Sequence, residues 1–238
     1  MKILMLTHRF PYPPIRGDCI RAWGELEYLT HRHDVWLACV DRTRPAARHL
    51  ALVGERCRGV ACVVRRKTAS LLRGGWSLLI GRSVTEGYFY DRRLVRIVRG
   101  WDRDVRFDAV LTFSPAMAVY AAAVPAPRRV LDMNDVESGK WQSYARHTRP
   151  PWSWLYDLEA QRLPRAERAW ICAHDVTLMV NERERSKLPP GLRERSAVVR
   201  TGVHLARYAR PAHNNGEIPV PREPVVGFVG SMSYAPNV

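Results

Sequence analysis

The chain has 238 residues, 46% of them hydrophobic, and a formal net charge of +15 at pH 7. Only four of its 38 basic residues (Lys2, Lys67, Lys140, Lys187) are lysine. That length and apolar content suit one large α/β domain, or one domain with part of another. An arginine excess of this kind points toward phosphates, anionic membrane surfaces or nucleic acid. No apolar run is long enough to span a bilayer, and the run at the N-terminus is too short for a signal peptide and lacks a cleavage site. The five cysteines (Cys19, Cys39, Cys57, Cys62, Cys172) form no C-x-x-C pair and have no histidine at zinc spacing. They read as small buried hydrophobes in a reducing compartment, so the expected location is cytoplasmic or peripheral on the inner face of the plasma membrane.

In chain order, Ile3–Thr7 is a continuous apolar run, as expected of a central parallel strand. The proline- and glycine-containing loop His8–Asp18 follows. Asp18–His31, with Ile20, Trp23, Leu26 and Leu29 at spacing three, predicts an amphipathic helix that Asp18 would cap. Strand, glycine-containing loop and helix N-terminus offer backbone N–H groups to a phosphate, although the dinucleotide signature G-x-G-x-x-G is absent. His8 reads either as a hydrogen-bonded loop residue or as a catalytic one. Further strands are expected at Val35–Val40 and Val60–Val64, with a helix over Pro45–Cys57 between them. From Arg65 to Trp101, leucines and aromatics alternate with arginines. Two readings are open: an interfacial segment on anionic lipid, or ordinary amphipathic helices packed on a sheet.

Phe107–Phe113 reads as the fourth strand and Met117–Ala123 as a short helix. Arg128–Leu131 reads as a fifth strand that leads into Asp132-Met133-Asn134-Asp135-Val136-Glu137-Ser138-Gly139-Lys140-Trp141. Polar groups beyond the carboxyl end of a parallel strand lie where open α/β sheets bind ligands; Asp132 and Asp135 can equally cap the next helix. Tyr144–Pro151 reads as a polar turn. Trp152–Ala173 reads as a long helix that Pro164 should kink or break. Glu159 and Glu167 on it read as surface partners of Arg162, Arg165 and Arg168, and Trp152, Trp154 and Trp170 as packing residues. Asp175–Val180 and Ala197–Arg200 read as strands, with an Asn181-capped helix between. Strand–helix alternation throughout predicts a doubly wound parallel sheet. Residues 205–224 read as a linker, and 225–238 as the first strand of a second domain that continues beyond the chain.

Several blocks together resemble the retaining GT-B sugar transferases of glycosyltransferase family 4, more narrowly the exopolysaccharide enzymes associated with PEP-CTERM/exosortase systems. They are His8-Arg9-Phe10-Pro11-Tyr12-Pro13-Pro14 with Gly17-Asp18 and Arg21; Phe113-Ser114 with Met117-Ala118 and Tyr120; Asp132, Asp135-Val136, Ser138 and Lys140-Trp141 with Tyr144-Ala145; and Trp154-Leu155-Tyr156 with Glu159, Leu163 and Glu167-Arg168. Gly202-Val203 and Phe228-Val229-Gly230-Ser231-Met232 complete the set.

The resemblance implies sugar transfer from a nucleotide-diphospho-sugar to a glycan or lipid-linked acceptor, with no metal and no separate cofactor. It implies an N-terminal Rossmann-like acceptor domain over residues 1–204, with Gly17, Arg16 and Arg21 at the donor phosphates. His8, Asp132, Ser138 and Lys140 would lie on the acceptor side, with Asp135 as the catalytic candidate, the first loop and these acids facing a common groove. The family's Asn-Gly-Val-Asp is here Thr201-Gly202-Val203-His204. Because the nucleotide-gripping half is expected beyond residue 238, residues 1–238 alone should be nearly inactive. A second class remains open: a non-catalytic membrane- or partner-binding module. Nucleic acid is not an expected partner, since the arginines are dispersed and no recognition helix or zinc knuckle is visible. Hydrolase motifs such as G-x-S-x-G and H-E-x-x-H are absent.

Overall fold

The computed structural model describes residues 1–202; the expected linker and final strand lie outside the described residues. Seven parallel strands form one sheet: β1 (Lys2–Thr7), β2 (Asp34–Asp41), β3 (Gly59–Val64), β4 (Ala109–Phe113), β5 (Arg129–Asn134), β6 (Val176–Met179) and β7 (Ser196–Val198), in the order β3-β2-β1-β4-β5-β6-β7. This is the doubly wound α/β architecture, Rossmann-like in its strand order. The strands are continuous apolar runs because both of their faces are covered. Along β1, Leu4 and Leu6 pack on one side with Val40, Leu94, Val98 and Tyr120, while Ile3 and Met5 pack on the other with Trp23, Leu26 and Val53. Burying each such side chain contributes about 1.5–3 kcal/mol.

The helices are α1 (Gly17–Thr30), α2 (Ala47–Gly54), α3 (Lys67–Leu79), α4 (Val84–Tyr88), α5 (Arg92–Val105), α6 (Ala118–Ala121), α7 (Glu137–His147), α8 (Trp152–Cys172), α9 (Glu182–Ser186) and α10 (Pro190–Arg193). Several expectations are corrected. The chain from Tyr144 to His147 is helix, not turn, and α8 runs unbroken through Pro164. Cys172 is exposed, and Cys57 and Cys62 are only partly buried.

Glu159 and Glu167 are buried, not surface ion-pair partners. Glu159 accepts from Val84 N (2.6 Å), Thr85 N (3.1 Å) and Thr85 Oγ1 (2.7 Å), and so caps α4. One helical turn on, Arg162 Nη1 donates to Leu78 O (2.6 Å) at the end of α3. Thus α8 offers an anion to one helix N-terminus and a cation to another's C-terminus, each matched to the local helix dipole.

On α3 the usual arrangement is inverted. Small residues Ser70, Gly74 and Ser77 face inward, where a Cβ on Gly74 would meet Val84 Cγ1 at 3.0 Å. Leu72, Trp76 and Leu79, also at helical spacing, point to solvent with exposures of 75%, 64% and 81%.

Candidate functional site

The strand order reverses between β1 and β4, and in such sheets ligands bind at the carboxyl ends of the strands flanking the reversal. The loop after β1 supplies His8, whose ring stacks on Phe113 (centroids 6.0 Å apart, 3° between planes) and meets Phe89 edge-on at 6.2 Å. Its Nε2 is 3.3 Å from Asp18 Oδ2. Arg9 (3.2 Å) and Arg16 (3.4 Å) reach the same carboxylate. Burial pushes the Asp18 pKa up, but the His8 hydrogen bond and the two arginines outweigh it and hold the carboxyl well below its usual range. Asp18 is therefore not the cap of α1. Arg16 occupies the cap position without a capping side-chain bond, so the first-turn N–H groups of α1 receive no side-chain cap. A Cβ on Gly17 would meet nothing within 4 Å, so packing does not demand glycine there. After β4, Ser114 holds φ +78°, a left-handed conformation that costs a non-glycine residue energy and concentrates at functional sites.

Arg21 and Asp132 are not a free phosphate cation and a free acceptor carboxylate: they form one buried pair. Arg21 Nε and Nη2 donate to Asp132 Oδ2 (2.6 Å) and Oδ1 (3.1 Å), while Nη1 donates to Val199 O (2.6 Å). Glu25 Oε1 lies 3.3 Å from the same guanidinium. Burial first, then the neighbouring Asp132, drives the Glu25 pKa far up, so Glu25 keeps its proton at neutral pH.

The segment after β5 is shaped by a register shift against β6 between Asp132 and Asn134, and Asn134 takes φ +61°. Bulges of this kind re-aim side chains beside binding sites. Neither Asp132 nor Asp135 caps α7, contrary to the capping reading. Glu167 does so from α8, accepting from Ser138 N (2.9 Å) and Ser138 Oγ (2.7 Å). Lys140 Nζ sits 2.7 Å from Asp135 and 3.1 Å from Glu137. Burial would lower its pKa, but the two carboxylates prevail and raise it, so the ammonium stays charged. Asp135 remains partly open to solvent.

A hollow of about 1080 Å³ opens beside the first loop. It is lined by that loop, by Asp41 at the end of β2 and the following Arg42–Ala46, by Arg65 after β3, and by Tyr88 and Phe89. Of the expected site residues, His8 and Arg16 line it; Gly17, Arg21, Asp132, Asp135, Ser138 and Lys140 do not. The acids after β5 are connected to α1 through the Arg21–Asp132 pair instead of through a shared hollow among the described residues. Sequence reasoning missed Arg65, Asp41 and Ser114. All three end or directly follow parallel strands, the same signal that singled out Asp132. Among the described residues, no group of three or more His, Cys, Asp or Glu could hold a metal ion.

Fold and site together define a parallel α/β lobe with a cationic hollow at its strand ends. No protein-family model matches the chain, and no curated protein matches it. Among solved structures, it is similar to the UDP-GlcNAc 2-epimerase from Neisseria meningitidis bound to UDP-GlcNAc, with TM-score 0.46 and 12% identity over 83% of this chain and 45% of that one. It is also similar to a putative UDP-N-acetylglucosamine 2-epimerase from Listeria monocytogenes, with TM-score 0.42 and 11% identity over 78% and 40%. The chain thus spans less than half the length of either. A likeness this distant carries no argument about function.

Proposed function

We propose that residues 1–202 are the acceptor-side lobe of a retaining, nucleotide-sugar-dependent glycosyltransferase that works in exopolysaccharide or other cell-surface glycan synthesis. The reading is supported above all by the cationic hollow beside the uncapped N-terminus of α1, near the point where the strand order reverses. In this reading the backbone N–H groups at Gly17 and the exposed Arg16 meet the donor diphosphate. His8, stacked on Phe113, borders the acceptor. Asp135, held by Lys140, orients the acceptor hydroxyl and accepts its hydrogen bond as the new glycosidic bond forms. Arg21 and Asp132 act from below the surface, fixing α1 against β5.

The test is transfer by the full-length protein from labelled nucleotide-diphospho-sugars to a glycan or lipid-linked acceptor. The expected product keeps the anomeric configuration, and Asp135→Asn should slow its formation by about 100-fold, the scale of losing one well-placed polar group at a transition state. Donor epimerisation or hydrolysis with no acceptor product would overturn the reading.

One observation favours an additional membrane role: the outward stripe Leu72, Trp76 and Leu79 on α3, a helix that the exposed Arg66 and Lys67 begin and the exposed Arg82 follows in sequence. Apolar groups that insert and cations that meet lipid phosphates are what an interfacial helix requires. In this reading the lobe rests on an anionic membrane surface. No helix among the described residues is long and apolar enough to cross one.

A further inference from the structure

The hollow contains a charge that the fold leaves uncompensated. Arg65 directly follows β3, and its backbone N–H donates to Asp41 O (2.8 Å). Its side chain is buried, at 5% exposure, yet none of the ion pairs among the described residues includes it. Nη1 donates to Ser70 Oγ (3.1 Å) and to Tyr88 O, and the guanidinium lies over the rings of Tyr88 (5.1 Å) and Phe89 (4.7 Å). Nε is buried with no partner. The one acid on the hollow, Asp41, already accepts from the backbone N–H groups of Phe10 (3.0 Å), Arg42 (2.6 Å) and Thr43 (3.4 Å). A buried charge is ordinarily paired and fully hydrogen-bonded, because desolvation penalises it otherwise. Burial accordingly pulls the Arg65 pKa down, against weaker opposing effects from Tyr88, Tyr120 and Asp41.

We propose that the hollow is a binding site for a phosphate ester, with Arg65 as its buried anchor and Arg42 and Lys67 as exposed partners. Six cationic side chains line it; Arg9 and Arg16 are paired with Asp18, and the other four (Arg42, Arg44, Arg65, Lys67) face the single lining carboxylate of Asp41, which suits a multiply charged anion better than a carboxylate ligand. The volume of about 1080 Å³ far exceeds one phosphate, and Tyr12, Ile15, Tyr88 and Phe89 provide apolar wall, so the phosphate belongs to a larger molecule. The inference rests on the acceptor-lobe reading only in taking that molecule to be the sugar acceptor; anion binding itself does not require it.

The test is calorimetric titration of the whole chain with inorganic pyrophosphate. Binding should weaken by about tenfold or more in Arg65→Gln, the loss of one buried charge-assisted contact. It should weaken by roughly threefold in each of Arg42→Gln and Lys67→Gln, and stay unchanged in Arg96→Gln, an exposed residue of α5 away from the hollow. If Arg65→Gln fails to fold, the two exposed variants decide. Equal binding by the wild type and the hollow variants, an equal loss in Arg96→Gln, or glucuronate competing as well as pyrophosphate would each overturn the proposal. A prenyl diphosphate in detergent that binds much more tightly than a sugar 1-phosphate identifies a lipid source; equal binding identifies a soluble one. Phosphate binding without sugar transfer by the full-length protein would sink the transferase reading alone, and transfer without phosphate binding would sink this one alone.

Discussion

Arg21 on α1 and Asp132 on β5, 111 residues apart in sequence, face each other through two hydrogen bonds of 2.6 and 3.1 Å in a site closed to solvent. The third arm of the guanidinium reaches Val199 O and lies 3.4 Å from Thr201 Oγ1, beyond β7. One side chain thus ties together the first helix, the fifth strand and the last described residues.

Breaking that pair from one side should be costly. Asp132→Ala leaves a buried guanidinium without its carboxylate and is expected to lower unfolding free energy by about 3–5 kcal/mol in urea titration. Arg21→Met combined with Asp132→Leu should recover much of the loss, since both charges leave together. A loss below about 1 kcal/mol in the single variant would mean that the pair is not buried as described.

Glu25 makes the same cluster pH-sensitive. Its pKa is raised by burial and by Asp132, so its contribution is fully present below the carboxyl value of the unfolded chain, about 4.3. It is lost as pH rises toward the folded value. Above the range in which His174 titrates, stability should therefore fall between about pH 7 and pH 9, and Glu25→Gln, which imitates the protonated form, should flatten that fall. A decline of the same slope in the variant would count against it.

His174 acts in the opposite pH range. It is buried, with Nε2 3.0 Å from Thr112 Oγ1 and Nδ1 2.6 Å from Trp170 O. Burial foremost, with Arg129 adding to it, lowers its pKa, against the hydrogen bond to Trp170 and the charge of Asp175. The unfolded chain then binds the extra proton first, so stability drops as pH falls below about 6.5. Thermal melts at stepped pH should show this in the wild type and not in His174→Gln.

At Gly17, fold and proposed function can be separated. With open space around its Cβ position, Gly17→Ala should leave stability unchanged or raise it by about 0.4–1 kcal/mol. Transfer activity of the full-length protein should nevertheless drop if a diphosphate approaches that backbone. Wild-type activity in a stable Gly17→Ala variant would remove Gly17 from the site.

The outward face of α3 gives a membrane test. Trp76→Glu with Leu79→Glu touches only exposed positions and should leave the melting temperature nearly unchanged. Co-sedimentation with anionic vesicles should fall strongly, and binding to zwitterionic vesicles should be weak for both forms. Equal sedimentation of variant and wild type would dismiss the membrane role.

The seven-stranded sheet was largely legible in the chain, because strands buried on both faces must be short apolar runs; Ile3–Thr7 and Val35–Val40 declared themselves this way. Asn181 as a helix cap was legible too, since its bond to Glu184 N (2.8 Å) spans only three residues. Helix α7 was partly hidden: none of its residues is buried, and its aromatics Trp141 and Tyr144 pack on Tyr156 of α8. The roles of Glu159, Glu167, Arg21 and Arg65 were decided by tertiary structure alone. Their charges meet partners, or lack them, across distances such as the 74 residues from Glu159 to Thr85. Local periodicity reports which face of an element is apolar; where a buried charge finds its counterpart depends on how the elements pack, and that is set only once the chain has folded.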